Sequence, residues 1–471
     1  MFESANALLT PTFLQSVWSQ EYEAFKGSEA EDRLIERLNH WVNRKNLSES
    51  SAQSAFIRTF FIDTWGYNEA GTVADDAFTL YPQHPVPGAG AGGGMGQADL
   101  AMGFFGSAGG VPQVLCEYKG VGALLDAPQA RKGNQRSPVD QALDYLRYAR
   151  RGFLGNEPVT PNFAMVTDMN EFRLHWWDRG RTQSIAFVIR PRDLFQNQAA
   201  SRLVGNDEAA RFARYAFLRL FHSNMLLTGG GPPQFVRLIA QRRGSERKIE
   251  EEFYSEYRAV REELYTALLA SNGLGTPRYP GTPGKLVRLA QKILDRLLFI
   301  AYCDDMGRRL DYPPKLLKDT LKSNSVLPMF DPNRQNIWQD VLSLFTRMNE
   351  GGVIGTHTIP RFNGGLFAPD PVLENLRLPN SVFCRHHQGA SDETIKQYPG
   401  TLLFLLGRYD FAADLGGSRE RSLGLYTLGR IFEQSITELE MLEAEADGRP
   451  SINRLSRRKT DGVYNTPEWV V

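Results

Sequence analysis

The chain carries no net charge and little cysteine. Its 471 residues include 54 basic and 54 acidic side chains. This balance argues against a protein that coats nucleic acid along its whole surface, although it leaves room for a local basic cleft. The three cysteines, Cys116, Cys303 and Cys384, are odd in number and far apart, so they suggest neither a disulfide framework nor a zinc knuckle.

Long apolar runs and a secretory leader are missing as well. The longest apolar runs, such as Leu297–Cys303, are much shorter than the roughly 18 residues that a membrane span needs. The opening MFESANALLTPTFLQ lacks the basic stretch and apolar core of a signal peptide. These absences predict a cytoplasmic protein without a membrane partner.

The sequence pattern changes twice along the chain. Residues 1–195 begin with helical periodicity and continue with strand-like segments, which predicts an α/β domain with a mixed sheet flanked by helices. Residues 196–450 show 3.6-residue periodicity and predict an all-α connector. Residues 451–471 are polar and basic. The predicted strands are Ala98–Phe105, Gln113–Lys119, Asn162–Thr167, Phe172–Trp177 and Ser184–Ile189.

A glycine-rich run precedes the first predicted strand. All nine residues from Gly88 to Gly96 are Gly, Ala or Met, which cannot build a core. Phosphate-binding glycine loops lie between a strand and a helix, whereas the segment ADLAMGFFG that follows here has a strand pattern. We therefore expect a flexible hairpin or loop.

The segment CEYK places Glu117 and Lys119 on the same side of a predicted strand. One interpretation is a solvated edge strand with a weak ion pair. The other is a buried metal site, because Asp99 on the preceding predicted strand could pair beside Glu117 and complete an oxygen shell for Mg²⁺. The apolar residues Val114 and Leu115 favour the buried position.

A predicted helix follows this strand. Ser137 suits its N-cap and Pro138 its first position, and Gln141 and Tyr145 share one face. Basic residues outnumber acidic ones around it, as expected where a phosphate backbone binds. The cations are Arg131, Lys132, Arg136, Arg147, Arg150 and Arg151, against Asp140 and Asp144.

The order Asp99, Glu117-x-Lys119 and Gln141-x-x-x-Tyr145 resembles the PD-(D/E)xK nuclease superfamily, in the branch with a Gln-x-x-x-Tyr helix. The resemblance implies a restriction-endonuclease-like fold in which Asp99 and Glu117 bind Mg²⁺. It also implies that Lys119 helps to activate water. Gln141 and Tyr145 would contact DNA near the cleaved phosphate.

Two further details concern this resemblance: one adds a possible metal ligand, and the other is a departure from the family pattern. Many members add a glutamate from the first helix, and the segment SESSAQSAF nominates Glu49 as a further metal ligand. The proline that the family carries before its first acid is absent, because Gln97 and Ala98 precede Asp99.

Later blocks resemble type IIG restriction-modification enzymes, which fuse a nuclease to an adenine-N6 DNA methyltransferase, and related phage-defence methylases. The blocks are FAMVTDMNEFRLHWWD, LVRLAQKILDRLLFIAYCDDMG, RFNGGLF and LGRIFEQSITELE. The tail RRKTDGVYNTPEWVV resembles the start of the methyltransferase domain, in which Gly462, Tyr464, Thr466 and Pro467 would close over S-adenosylmethionine. The family's Gly-rich cofactor loop and Asn-Pro-Pro-aromatic motif would follow this tail. We therefore expect an N-terminal part of a larger protein, or a half completed by a partner chain that supplies the methyltransferase and target-recognition domains.

Two functional hypotheses follow. The first is a Mg²⁺-dependent endonuclease that cleaves double-stranded DNA in a restriction-modification or phage-defence system. The second is a catalytically degenerate nuclease-like module that binds DNA and couples to an adenine methyltransferase or defence complex. The complete Asp99, Glu117 and Lys119 set favours the first hypothesis.

Overall fold

A computed structural model gives the fold as two compact units, Met1–Ser245 and Glu246–Val471. It describes residues 8–42, 49–71, 77–107, 109–129, 135–151, 153, 159–190, 200–362, 364–387, 400–411, 421, 423 and 425–449. The first unit thus extends past the residue-195 boundary predicted from the sequence. The segment 451–471, with the predicted cofactor residues Gly462, Tyr464, Thr466 and Pro467, lies outside the described residues.

The first unit begins with short helices. Helix α3 shows why this segment is helical, because its apolar side chains Leu34, Leu38 and Trp41 recur on one face and are all buried. The elements are α1 (Pro11–Val17), α2 (Ser19–Phe25), α3 (Glu29–Val42), α4 (Glu49–Phe56) and a π-helix at Ile57–Ile62.

A mixed seven-stranded sheet follows, with its strands in chain order across the sheet. Neighbouring strands are antiparallel, except that β3–β4 and β6–β7 pair in parallel. All five predicted strands are present. The strands are β1 (Phe78–Pro87), β2 (Met95–Gly106), β3 (Gly109–Tyr118), β4 (Phe163–Thr167), β5 (Glu171–Trp176), β6 (Ser184–Val188) and β7 (Ser201–Arg202).

Strand β1 was not predicted, and its prolines explain the omission. Pro82, Pro85 and Pro87 interrupt the usual strand pattern, yet proline is tolerated at the edge of a sheet, where β1 lies. The glycine-rich run turns the chain from β1 into β2, as expected for a hairpin. At Gly88 the φ angle is +84°, and a Cβ would lie 2.9 Å from the Tyr148 ring, so only glycine fits this turn.

Helices cover both faces of the sheet. Helix α5 (Pro138–Arg150) connects β3 to β4 and packs on the face that includes Leu115. The side chains of Val114 and Cys116 point to the opposite face, where they join the core formed with the N-terminal helices and α6 (Glu208–Leu220). From Gln113 to Tyr118, strand β3 is therefore buried on both faces, as is usual for a central strand with a parallel neighbour.

The rest of the described chain is mainly helical and includes one small hairpin. After α7 (Ser223–Leu226), helix α8 (Gln234–Asn272) runs through the boundary between the units. Further helices are α9 (Pro283–Met306), α10 (Leu316–Ser325), α11 (Asn336–Glu350), α12 (Pro371–Glu374), α13 (Asn380–Phe383), α14 (Leu402–Arg408) and α15 (Leu425–Ala446).

The predicted all-α connector needs one correction. Strands β8 (Gly352–Ile354) and β9 (His357–Ile359) form an antiparallel hairpin directly after α11. Gly351 ends that helix at a φ of +77°, a conformation that turns the chain back on itself. Among the helices of the described segments, none has the length and apolarity to cross a membrane.

Candidate active site

Two neighbouring strands bring Asp99 and Glu117 together. Strands β2 and β3 are antiparallel and place Leu100 opposite Cys116, so the next pair in this register is Asp99 and Glu117. Directly opposed residues of a sheet share one face. The Tyr118 N–H donates to Asp99 Oδ2 over 3.0 Å, which fixes this carboxylate at the end of β3.

Lys119 lies between the two acids. Its ammonium donates to Glu117 Oε1 and to the Tyr118 carbonyl oxygen, the latter over 3.1 Å, and it lies 3.7 Å from Asp99 Oδ2. The Lys119 N–H donates to the Thr167 carbonyl over 2.8 Å, which continues the alignment of β3 with β4. We call Asp99, Glu117 and Lys119 the acid site.

The acid site is a desolvated charge cluster. Glu117 is 1% exposed, and β3 lies between β2 and β4, so the solvated edge-strand interpretation does not describe this pair. Burial, together with the nearby charge of Asp99, raises the pKa of Glu117 to about 8. Its Oε2 atom is buried and accepts no hydrogen bond, and a hydrogen bond that Glu117 shares with the Asp99 carboxylate contributes to the raised pKa. Two adjacent carboxylates with an unmatched acceptor need a further positive group, either a proton or a cation.

Helix α5 carries Gln141 and Tyr145 to the acid site. The Ser137 hydroxyl caps the helix by accepting from the Asp140 N–H over 3.1 Å, as its sequence predicted. Gln141 Nε2 donates to the Tyr145 hydroxyl over 2.6 Å. Burial, and next the charge of Glu117, raises the pKa of Tyr145 to about 12, so this phenol stays protonated as a hydrogen-bond donor.

The donor set fits Mg²⁺ better than a transition metal. Asp99 and Glu117 offer carboxylate oxygens, and Mg²⁺ typically takes one or two carboxylates and completes its shell with water and phosphate oxygens. Within the described ranges, no three His, Cys, Asp or Glu side chains group around a possible metal position. Glu49, the further predicted ligand, begins α4, and its side chain lies outside the description.

The sequence reasoning missed an ion-pair network on β5. Arg173 is buried and donates to Glu171 Oε1 and Asp126 Oδ2, each over 2.6 Å. Arg181 joins it by donating to Asp126 and to Asp140 at the start of α5. An arginine inside the apolar strand EFRLHW was the available signal, because a buried guanidinium needs carboxylate partners.

Asp168 also went unrecognised. Its Oδ1 accepts from the backbone N–H groups of Asn170 (3.0 Å) and Glu171 (2.6 Å) and shapes the turn between β4 and β5. Its Oδ2 accepts from the Gly122 N–H over 3.1 Å, which ties the loop after Lys119 to this turn. The segment TDMNE between two strands was the sequence signal for the turn, but it does not reveal the contact with Gly122.

Comparisons with known proteins identify no family. No family model, curated protein or solved structure matches the chain. The functional interpretation therefore depends on the geometry of the acid site and on the sequence resemblance.

Proposed function

We propose that the chain is a Mg²⁺-dependent endonuclease that hydrolyses phosphodiester bonds of double-stranded DNA within a restriction-modification or phage-defence enzyme. One observation carries the proposal. Asp99 and Glu117 meet where the paired strands β2 and β3 lie side by side, Lys119 lies beside both, and Glu117 Oε2 accepts no hydrogen bond there. This arrangement costs stability, and a site that binds a cation explains why it exists.

Each residue has a role that its position supports. Asp99 and Glu117 would hold Mg²⁺, which supplies Lewis-acid stabilisation of the phosphate and a more acidic water when bound. The Lys119 ammonium lies beside both carboxylates, where it can orient the attacking water and balance charge on the phosphate oxygens. Hydrolysis forms one oxygen–phosphorus bond to water and breaks one phosphate ester bond, whose leaving oxygen takes a proton.

Gln141 and Tyr145 would hold the DNA strand. Their hydrogen bond to each other fixes both side chains, and Tyr145 remains a donor because its pKa is raised by burial and by Glu117. A protonated phenol can donate to a phosphate oxygen without adding negative charge to the acid site. Gln141 and Tyr145 would thus position the DNA, while the residues of the acid site would carry out the hydrolysis.

The rival hypothesis is a degenerate module that only binds DNA. Such a module gains nothing from a buried cluster with an unmatched acceptor, because replacing these groups with apolar ones is often neutral or stabilising. The presence of all three charged groups in contact therefore supports an active nuclease. The methyltransferase and target-recognition parts would supply S-adenosylmethionine binding, for which Tyr464, Thr466 and Pro467 are the predicted residues, and sequence recognition.

Nicking of supercoiled plasmid with Mg²⁺, with and without S-adenosylmethionine, tests the proposal. Lys119→Ala should abolish nicking and retain DNA binding measured with Ca²⁺ in place of Mg²⁺. Lys318→Ala is the matched control, because Lys318 is equally buried and pairs with Asp305 over 2.7 Å in the second unit. Undiminished nicking by the Lys119 variant would exclude the acid site as the catalytic centre.

A further inference from the structure

Asp168 lies next to Lys119 at the end of the neighbouring strand. Strands β3 and β4 are parallel, with Tyr118 paired to Thr167. The next positions in this register are Lys119 and Asp168. The Lys119 N–H donates to the Thr167 carbonyl over 2.8 Å, which continues the alignment to the end of both strands. Asp168 is 3% exposed, so its carboxylate needs hydrogen-bond donors around it.

Three backbone N–H groups surround the Asp168 carboxylate. Its Oδ1 atom accepts from the N–H groups of Asn170 (3.0 Å) and Glu171 (2.6 Å), which closes the turn between β4 and β5. Its Oδ2 atom accepts from the Gly122 N–H over 3.1 Å, in the chain that leaves Lys119. Because Oδ1 alone serves the β4–β5 turn, the bond to Gly122 gives Asp168 a second role.

The chain turns immediately after Lys119. The Ala123 N–H donates to the Gly120 carbonyl over 3.1 Å, and Gly122 has a φ of +97°. These features define a four-residue turn whose third residue has a positive φ, a position that favours glycine. Since Gly120 follows Lys119 directly, the orientation of this turn sets the direction of the Lys119 backbone.

The position of the Lys119 ammonium depends on that backbone. The ammonium donates to Glu117 Oε1 and lies 3.7 Å from Asp99 Oδ2, and Lys119 is 7% exposed. A lysine between two carboxylates must keep both distances at once, so a small rotation of the turn would weaken one of the contacts. The bond from Gly122 to Asp168 restricts this rotation by tying the turn to the end of β4.

The contacts of Asp168 distinguish it from a metal ligand. Both of its oxygens already accept backbone N–H groups. Across the part of the chain that the structure describes, no group of three His, Cys, Asp or Glu side chains surrounds a possible metal position. Asp168 therefore acts on the backbone beside Lys119, one step away from the acid site.

Building on the proposed function, we propose that Asp168 is a positioning residue that sets the rate of DNA hydrolysis through Lys119. Its Oδ2 atom holds the turn after Lys119 against β4, and the turn holds the ammonium between Asp99 and Glu117. Asp168 touches neither the metal nor the DNA in this role. Its replacement should therefore slow hydrolysis without weakening the binding of DNA or Mg²⁺.

Asp168→Asn tests the proposal. The asparagine carbonyl can still accept from Asn170 and Glu171, but the amide nitrogen cannot accept from the Gly122 N–H. We expect the maximum nicking rate to fall about 30-fold, with an unchanged half-saturating Mg²⁺ concentration and unchanged DNA binding in Ca²⁺. Asp304→Asn is the matched control and should nick as the wild type does, because Asp304 is similarly buried and accepts from two backbone N–H groups in the second unit.

The reactivity of the Lys119 ammonium gives a readout that does not depend on nicking. Acetic anhydride labels exposed amines faster than buried ones, and mass spectrometry reports each lysine separately. Asp168→Asn should raise the labelling rate of Lys119 about fivefold and leave that of Lys318, which is also 7% exposed, unchanged.

Gly122→Ala provides a second variant that leaves Asp168 in place. It should raise Lys119 labelling and lower the nicking rate in the same way, because alanine rarely adopts a φ of +97°. The double variant should lose little more than the stronger single variant, since both changes break the same bond.

Three results would overturn this role. The first is an unchanged Lys119 labelling rate, or an unchanged nicking rate, in Asp168→Asn. The second is an equal rise in labelling at Lys119 and Lys318, which would mean a general loosening of the fold. The third is weaker DNA or Mg²⁺ binding with an unchanged maximum rate. A wild type that does not nick would overturn the proposed function instead, and Lys119 labelling would still decide whether Asp168 positions this side chain.

Discussion

Two buried polar clusters occupy the two units, and they differ in one respect. In the second unit, Asp295 Oδ1 accepts from the Tyr257 hydroxyl over 2.9 Å and from Gln291 Nε2 over 2.7 Å. Arg261 completes what we call the helical network by donating to Gln291 Oε1 over 3.1 Å. In the first unit, the acid site sets two carboxylates beside one lysine, and Glu117 Oε2 accepts no hydrogen bond.

This difference separates buried polar groups that stabilise the fold from buried polar groups that can bind a ligand. Burial raises the pKa of Asp295 to about 7 and that of Glu117 to about 8, so the shift alone does not distinguish the clusters. The distinguishing feature is unmet bonding capacity next to a like charge. A satisfied network specifies packing, whereas an unsatisfied one is a candidate for binding a ligand.

The largest expected effect is on the acid site. Glu117→Gln should lower the Mg²⁺-dependent nicking rate about 1,000-fold, or about 4 kcal/mol, because an amide is a poor Mg²⁺ ligand. The same change should leave the thermal midpoint measured at pH 7 without divalent cations nearly unchanged, because a pKa of about 8 keeps the Glu117 carboxyl protonated and neutral, as glutamine is. If Glu117→Gln lost both nicking activity and stability, the acid site would contribute to folding as the helical network does. The proposed distinction between the two clusters would then be wrong.

The second effect concerns the helical network. Asp295→Ala should lower the free energy of unfolding by about 3 kcal/mol, because Tyr257 and Gln291 lose their shared acceptor. Urea denaturation followed by circular dichroism measures this loss. Nicking by the folded variant should equal that of the wild type, and a loss of nicking comparable to that of Glu117→Gln would assign a functional role to this network.

His175 adds a third case to this comparison, a buried group whose titration makes the stability of the fold depend on pH. Its Nδ1–H donates to the Gly180 carbonyl over 3.0 Å, its Nε2 is buried without a partner, and burial lowers its pKa to about 4. Because the unfolded chain takes up a proton at a higher pH than the fold does, stability should fall as pH decreases below about 6.5.

The expected loss is about 2 kcal/mol between pH 7 and pH 5, measured by urea denaturation at each pH. His175→Asn keeps a donor for Gly180 but cannot titrate, so its stability should change less over this range. Equal pH dependence in both proteins would show that His175 is not the group responsible.

The smallest expected effect is at the start of α5. Ser137→Ala removes the N-cap and should lower the free energy of unfolding by about 1 kcal/mol. Nicking should change less than twofold, because Gln141 and Tyr145 lie further along the helix. A much larger loss of nicking would mean that the cap positions the acid site directly.

Local patterns were enough to predict part of this structure. The five predicted strands have clear apolar patterns, and the start of α5 has the Ser-Pro capping signal, so both were predicted. Pairing of Asp99 with Glu117 followed from the short connection between β2 and β3. The edge strand β1 was missed because its prolines conceal a strand that needs few backbone donors.

Contacts between distant residues could not be predicted in the same way. Arg173 and Asp126 are 47 positions apart, and only the order of the strands brings them together. Likewise, the unmatched Glu117 Oε2 depends on which donors surround it in three dimensions. A single sequence specifies the charged residues but does not show which of their polar atoms lack a hydrogen bond in the folded protein.

The most direct test of the acid site is a Mg²⁺ titration of plasmid nicking by the wild type and by Asp99→Asn. We expect the wild-type rate to rise and saturate with Mg²⁺, and the Asp99→Asn rate to stay near background at every concentration, because one of the two proposed Mg²⁺ ligands is lost. Nicking by Asp99→Asn with the same Mg²⁺ dependence and maximum rate as the wild type would contradict the assignment.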